Sequence, residues 1–351
     1  MWIRGPLNYV CRRFDSKRSW FKGLCTCLTE NGSVPALPKA NRLTVLQAVD
    51  LWTKTFEQRD VSEPQLSSQH IISHLLGAKT LESLGKDRLG ELLTQEQTAQ
   101  IWDLCNKRLT RMPVQYVIEE WDFRDLTLKM RPPVFIPRPE TEELVGLVLA
   151  DFQKGHMTGV SAKAGYRCLE VGCGSGAISL SLLKSLPQVR AFALDQSQDA
   201  VSLTRENAHC LGLSGRLEVY HMDVMKDADA VVNLCRPVSA LISNPPYLFS
   251  EDMTSLEPEI LRFEDQAALD GGRDGMQVIR HILAIAPKLL SNHGRVYLEV
   301  DPRHPALIQR WVEENVHGLQ YVSTQPDITN RPRFCILQKE EGSAGLKKEQ
   351  G

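Results

Sequence analysis

Apolar residues recur at spacings of three and four over residues 41–112, the period of helices packed on one face. Leu43, Leu46, Val49, Trp52 and Phe56 form one stripe, and Ile71, Ile72, Leu75 and Leu76 a second, closed by Gly77 as a C-cap. Thr94 with Gln97 reads as a capping box ahead of Ile101, Leu104, Cys105 and Leu109. The period shortens over 113–136, where Tyr116, Trp121, Phe123, Leu126 and Leu128 predict a β-hairpin. Pro139 and the acids after it suit a helix first turn, continued by Leu144, Val145, Leu147, Val148 and Leu149. Beyond a soft break at 154–165, strands are predicted near 166–171, 189–194, 217–221, 238–243 and 295–300, with two late ones near 319–324 and 333–338. Helices fall between them near 176–185, 198–211, 275–290 and 304–316. This alternation predicts an α/β domain, doubly wound around parallel central strands.

Two stretches at strand ends carry chemistry. Ala240–Ser243 is a short apolar strand, and Asn244-Pro245-Pro246-Tyr247 follows it directly. The prolines fix φ and hold their neighbours extended. Acceptor oxygens beside an aromatic ring suit a planar NH₂ group, which donates two hydrogen bonds and stacks. On its own the tetrapeptide also reads as a plain strand-ending turn. The second stretch, Gly172-Cys173-Gly174-Ser175-Gly176, separates the strand Tyr166–Val171 from an apolar helix, where glycines let a ligand approach the backbone.

Asp195 ends the next strand, 23 residues past Gly172, where a ribose-binding carboxylate is expected; its alternative is a helix N-cap or a turn residue. The spacing G-x-G-x-G differs from the dinucleotide pattern, and Glu170 just before it suits a cation better than a pyrophosphate. That favours S-adenosylmethionine over NAD. Asp223, at the end of a third strand, suits an adenine amino group, with Val224 against the ring. Glu170, Asp195, Asp223 and Asn244 all fall at the carboxyl ends of strands, where open α/β sheets bind ligands. A nucleotide-binding α/β domain of another class is the alternative for the set.

Composition narrows the partners. The chain has 351 residues, 42% hydrophobic and 24% charged, enough for two domains with a full core. A net charge of −2 supplies no basic field for a nucleic-acid backbone. No apolar run approaches the ~20 residues of a membrane span. The nine cysteines are odd in number and mostly within apolar stretches, which fits reduced thiols. Cys25 and Cys27 lack a second pair, and His70 and His74 lack further ligands, so no metal site is expected. Residues 1–29 carry six arginines and lysines against the single acid Asp15, the pattern of an organelle transit peptide. A linker over 31–40 and a disordered polar tail over 340–351 complete the chain.

Glu170-Val171-Gly172-Cys173-Gly174-Ser175-Gly176 with Asn244-Pro245-Pro246-Tyr247 resembles the class I methyltransferases that modify planar amino or amide nitrogens. Pro137-Arg138-Pro139-Glu140-Thr141-Glu142 narrows the likeness to the HemK/PrmC family of peptide-chain release factor glutamine N5-methyltransferases. Arg111–Tyr116, Arg262-Phe263-Glu264, Ala268-Leu269 and Gly271–Gly275 match as well, so the likeness spans residues 43–338. Two positions depart from the family pattern. Asp265 stands where a proline is common, and Val300-Asp301 follows Glu299 where a glycine is usual.

Beside the transit peptide and linker that composition predicts over 1–40, the resemblance implies a helical substrate-docking domain over 41–112, a hairpin linker over 113–136 and a methyltransferase domain over 137–339. It implies S-adenosylmethionine held by Glu170, Gly172, Cys173, Gly174, Ser175, Gly176, Asp195, Asp223, Val224 and Asn244. It implies a Gly-Gly-Gln substrate on a release factor, held by Asn244, Pro245, Pro246, Tyr247 and Arg138, with Asn244, Pro245 and Tyr247 catalytic. With the basic leader, a monomer in the mitochondrial matrix is expected, with no stable nucleic-acid or membrane partner. Two rivals remain. A DNA adenine N6-methyltransferase meets the same two N–H donors but needs a basic surface. A non-catalytic assembly factor keeping the fold would have no use for an intact acceptor tetrapeptide.

Overall fold

The computed structural model describes Pro35, Leu37 and residues 42–155 and 165–341. The leader and most of the linker expected over 1–40, and the tail beyond 341, lie outside the described residues. The chain forms two compact units that divide between Ile118 and Glu119.

The first unit is helical: α1 (Val45–Glu57), α2 (Pro64–Leu75), a single turn α3 (Lys86–Leu89), α4 (Gln95–Leu109) and a second turn α5 (Val114–Val117). Thr44 with Gln47, and Thr94 with Gln97, form capping boxes that satisfy the first N–H groups of α1 and α4. Trp52, Phe56, Ile71, Ile72 and Ile101 are fully buried, and Trp52 meets Trp102 edge-on at 5.1 Å. Leu46 does not join them: it is 44% exposed. The buried stripe of α1 runs through Val45, Ala48, Val49, Trp52 and Phe56, and Leu46 is turned about 100° from Val45. Tyr116 also departs from expectation, since it lies in α5 and not in the hairpin.

The second unit opens with the antiparallel hairpin β1 (Glu120–Phe123) and β2 (Leu126–Lys129), then α6 (Pro139–Gln153) with Pro139 in its first turn. There follow β3 (Tyr166–Val171), α7 (Ala177–Ser185), β4 (Val189–Asp195), α8 (Gln198–Cys210), β5 (Leu217–His221), α9 (Ala228–Cys235) and β6 (Val238–Ser243). After these come α10 (Pro258–Phe263), α11 (Gln277–Leu289), β7 (Leu290–Glu299), α12 (Pro305–Asn315), β8 (Leu319–Pro326) and β9 (Pro332–Lys339). The sheet order is β5-β4-β3-β6-β7-β9-β8, with β3 to β7 parallel and β9 antiparallel to both its neighbours. This is the class I methyltransferase α/β architecture. β7 starts earlier than the sequence suggests, because Leu290 pairs with Val238 ahead of an irregularity that ends where Arg295 pairs with Ala240. The short α9 and α10 had no clear periodicity and were not anticipated.

The chain runs outward from β3 through β4 to β5, then returns to place β6 on the other side of β3. That reversal opens a crevice at the carboxyl ends of β3 and β6. Val171 lies opposite Ser243 in the parallel ladder, and Ser243 Oγ donates to the Val171 carbonyl at 2.6 Å.

The hairpin is fastened to α8 by a buried side chain. Asn207 Oδ1 accepts from Lys129 N at 2.8 Å, and its Nδ2 donates to the Lys129 and Ser175 carbonyls at 3.2 and 2.9 Å. Glu206 adds ion pairs to Lys129 and Arg131. Asn207→Ala leaves these backbone groups without their partner, and we expect a loss of about 2 kcal/mol or more. Urea unfolding measures it; a midpoint matching the wild type would show that Asn207 does not hold the hairpin.

Candidate functional site

The glycine loop is drawn onto the end of β4. Gly172 N and Cys173 N donate to the Leu194 carbonyl at 2.8 and 3.1 Å, and Gly174 N donates to Asp195 Oδ2 at 2.9 Å. Asp195 Oδ1 accepts from Ser197 N at 2.9 Å in the turn ahead of α8, whose N-cap is Ser197 itself. From α8, Thr204 Oγ1 donates to the Gly174 carbonyl at 2.9 Å. Gly172 has φ +76°, a conformation L side chains rarely adopt, and a Cβ there would face the Asn244 carbonyl at 3.9 Å. The loop and the Asn-Pro-Pro-Tyr segment are therefore neighbours.

One cleft lies over these strand ends, with about 740 Å³ of space open to solvent. Gly172, Gly174, Asp195, Asp223, Val224, Asn244 and Pro246 line it together. Val134, Phe135, Met222, Met225, Ala268 and Val278 supply apolar walls. Asp265 adds a third carboxylate. The Asp195 carboxyl is held above its usual range, chiefly by burial, with the Asp265 charge adding and the two N–H donors opposing. Burial also pushes on Asp223, but Lys226 Nζ at 2.9 Å and the Met225 N–H outweigh it and hold the group low. Apolar walls with three carboxylates fit a ligand that combines a flat ring, hydroxyls and positive charge, as S-adenosylmethionine does.

Other residues singled out in the sequence lie elsewhere. Glu170 is outside the cleft lining, 2% exposed, with Oε2 accepting from Ser179 N in the first turn of α7 at 2.9 Å. Strand side chains alternate, and Val171 is the neighbour that lines the cleft. Burial raises the Glu170 pKa to about 8, against the lowering effect of Ser179. Cys173, Ser175 and Gly176 shape the loop without lining the cleft. Arg138 pairs with the buried Glu264 at 2.6 Å and lies 4.8 Å over the Phe135 ring. Glu264 also accepts from Ile136 N at 3.1 Å, so Arg138 holds the Phe135 segment against the cleft.

Pro245 is buried beside Asn244, outside the lining. Tyr247 packs on the main core, and its hydroxyl donates to Glu299 Oε1 at 3.2 Å. Asn244 Nδ2 donates to Thr141 Oγ1 at 3.1 Å, and Thr141 Oγ1 donates to Glu299 Oε2 at 2.8 Å. Neither Thr141 nor Glu299 had been singled out as a site residue, nor had Phe135 or Asp265. The segment after Tyr247 pairs with 269–272: Leu248 N donates to the Leu269 carbonyl at 2.9 Å, and Gly271 N to the Leu248 carbonyl at 2.8 Å. Gly275 closes this loop at φ +67°, and a Cβ there would lie 2.5 Å from both the Tyr247 carbonyl and His304 Nε2.

Two family patterns match the chain: the PrmC N-terminal domain over residues 47–118 and the methyltransferase small domain over 156–292. The MTRF1L release factor glutamine methyltransferase of Homo sapiens is 47% identical over 307 residues, 87% of this chain and 90% of that protein. A release factor glutamine methyltransferase of Deinococcus radiodurans is 30% identical over 85% of this chain and 100% of its own length. One from Thermodesulfovibrio yellowstonii is 31% identical over 78% of this chain and 92% of its own length.

Two expectations follow from the geometry. Glu170 binds its proton more tightly folded than unfolded, so its contribution to stability is present at low pH and is lost as pH rises through about 8. Glu170→Gln removes that dependence: from pH 7 to 9 the wild type should lose melting temperature relative to the variant, and parallel curves would contradict the assignment. Gly275→Ala must displace the Tyr247 carbonyl or His304, at about 1–3 kcal/mol. Calorimetry and turnover should both register it; unchanged values would mean the loop yields freely.

Proposed function

The chain belongs to the release factor glutamine methyltransferase family, and on that premise we propose that it methylates the side-chain N5 of the glutamine in the Gly-Gly-Gln motif of a peptide-chain release factor. The observation that carries this reading is the shared cleft, in which Asn244 stands beside Gly172, Asp195 and Asp223. S-adenosylmethionine, when bound, supplies an electrophilic sulfonium methyl group.

The chain's residues supply binding, orientation and charge. The backbone of Gly172 and Gly174, with Asp195, Asp223, Val224 and the Met222 and Val278 side chains, holds the nucleoside. The carboxylates favour a cationic occupant. An amide nitrogen is a poor nucleophile because its lone pair is delocalised, and no side chain deprotonates it at neutral pH. Asn244 Oδ1 and the Pro245 carbonyl accept its two N–H bonds, fix it in line for attack and stabilise the positive charge that develops. Pro246 keeps the two oxygens stiffly placed, and Tyr247, packed on the core with its hydroxyl on Glu299, braces the segment from behind. Arg138 contributes by holding Phe135 at the cleft wall.

The same proposal takes the protein to the mitochondrial matrix, acting as a monomer with no stable nucleic-acid or membrane partner. Support comes from the basic leader and the net charge of −2. Among the described residues no helix is long and apolar enough to cross a membrane. A DNA adenine methyltransferase needs a phosphate-binding surface, and the relatives named above are release factor enzymes throughout.

Purified enzyme given S-adenosylmethionine should add one methyl group to the Gly-Gly-Gln peptide of a mitochondrial release factor, read by mass spectrometry, and none to duplex DNA. Methylated DNA with unmodified release factor would reverse the choice. Asn244→Ala should lower kcat by about 100-fold or more while cofactor affinity stays within a few fold. Equal losses of both would remove Asn244 from the chemistry.

A further inference from the structure

A side-chain amide presents an oxygen on one side and an NH₂ on the other, and packing hardly distinguishes them. The group that fixes which faces a ligand must have only one possible hydrogen-bonding role. The chain of contacts behind Asn244 ends on such a group. Glu299, 1% exposed at the end of β7, accepts from Thr141 Oγ1 through one oxygen and from Tyr247 Oη through the other. A threonine hydroxyl has one hydrogen. Once that is donated to Glu299, Oγ1 can only accept, and it accepts from Asn244 Nδ2 at 3.1 Å. Asn244 is then left with Oδ1 for an occupant of the cleft.

We propose that Thr141 and Glu299 are positioning residues that set the direction of this relay, so that Asn244 presents an acceptor, and not a donor, to the substrate NH₂ group. The inference rests on the reading of Asn244 under Proposed function and explains how its amide is held. Thr141 stands in the first turn of α6, 3% exposed, with its own N–H bonded to the Arg138 carbonyl at 3.0 Å. The helix therefore does not depend on its hydroxyl. Glu299 reaches both members of the site at once: Asn244 through Thr141, and Tyr247 directly.

Both hydroxyls can donate to Glu299 together only while it is ionised. A proton on either oxygen adds a third hydrogen to a row that has places for two. Thr141 or Tyr247 must then turn its hydroxyl away, and the orientation of Asn244 or of Tyr247 is released. The groups facing Glu299 are Arg333 from β9, Glu140 and Thr141 from α6, and Tyr247 from the loop after β6. Burial raises the pKa to about 7; Glu140 adds to that, and Thr141, Arg333 and Tyr247 oppose it. Activity should accordingly fall as pH drops below neutrality, because the protonated form releases one of the two hydroxyls that hold Asn244 and Tyr247.

The test uses full-length enzyme, S-adenosylmethionine and a Gly-Gly-Gln peptide or release factor, across pH 5.5–9. Thr141→Val should lower kcat by about tenfold or more, as for other side chains that orient a working group, and weaken peptide binding to enzyme loaded with S-adenosylhomocysteine. Cofactor affinity should stay within about twofold. Thr141→Ser keeps the hydroxyl and should recover most of the loss. Glu299→Gln should reduce kcat at every pH and abolish the acid limb near pH 7 that the wild type shows. Wild-type kcat in Thr141→Val, no recovery in Thr141→Ser, or an acid limb that persists in Glu299→Gln overturns the inference. If Thr141→Val does not fold, the serine variant and the pH profiles decide alone. A wild-type enzyme that methylates no release factor would count instead against the proposed function.

Discussion

The pairing register of β3 with β6 is the constraint on which the site depends. Cys168, Leu169, Glu170 and Val171 face Ala240, Leu241, Ile242 and Ser243 in a parallel ladder, so the residues that leave the sheet next are Gly172 and Asn244. A shift of one residue would turn every side chain of β6 to the other face and separate the glycine loop from the acceptor segment. The paired residues are mostly apolar and all buried, which gives little information about register by itself. The Ser243 hydroxyl supplies some of what is missing, since its bond to the Val171 carbonyl forms only in the observed pairing.

Around that pairing the carboxylates divide into two groups with different electrostatics. Asp195, Asp223 and Asp265 line the cleft and have water or a ligand on one side. Glu170, Glu264 and Glu299 lie behind it at 5% exposure or less, and each holds a neighbouring segment in place. Glu170 accepts from the first turn of α7, Glu264 joins Ile136 and Arg138, and Glu299 joins Thr141 and Tyr247. Burying a charge is unfavourable, and such groups persist where several donors converge on them. The result is a cleft whose walls are set before anything enters it, which suits chemistry that depends on placement.

Much of this was legible in the sequence because α/β sheets place function at strand ends. Gly172, Asp195, Asp223 and Asn244 each stand at or just past the end of a strand, and the cleft lies at those positions. What was hidden has physical reasons. Glu170 follows two buried strand residues and precedes a third, so composition does not reveal which face it takes; its neighbour Val171 takes the cleft. Leu46 and Tyr116 are apolar, as the flanking core positions are, and only the phase of the helix or the local turn separates them from the expected stripes. Thr141 and Glu299 are 158 residues apart, and neither stands in a context that signals hydrogen bonding. Their partnership is created by α6 packing behind β7, a fact of tertiary structure alone.

The two departures from the family pattern show how such long-range ties compensate one another. A proline at position 265 would have no N–H to offer; Asp265 has one, and donates it to the Pro133 carbonyl at 2.8 Å. That bond joins the segment before α6 to the segment after α10, close to the Glu264 clamp on Ile136 and Arg138. The side chain also accepts from Ala267 N at 2.9 Å and still lines the cleft. Its charge works against ionised Asp195 across the gap, which is unfavourable in an empty cleft and favourable when a cation lies between them. At the other departure, Val300 is fully buried, its N–H bonded to the Arg333 carbonyl at 2.9 Å, and Asp301 takes up Arg303 at 2.7 Å. Replacing glycine there adds a core side chain and an ion pair immediately after Glu299, so the carboxylate behind Thr141 sits on a stiffer strand end. The Asp265 N–H bond and the buried Val300 side chain are contacts that proline and glycine cannot supply at those positions.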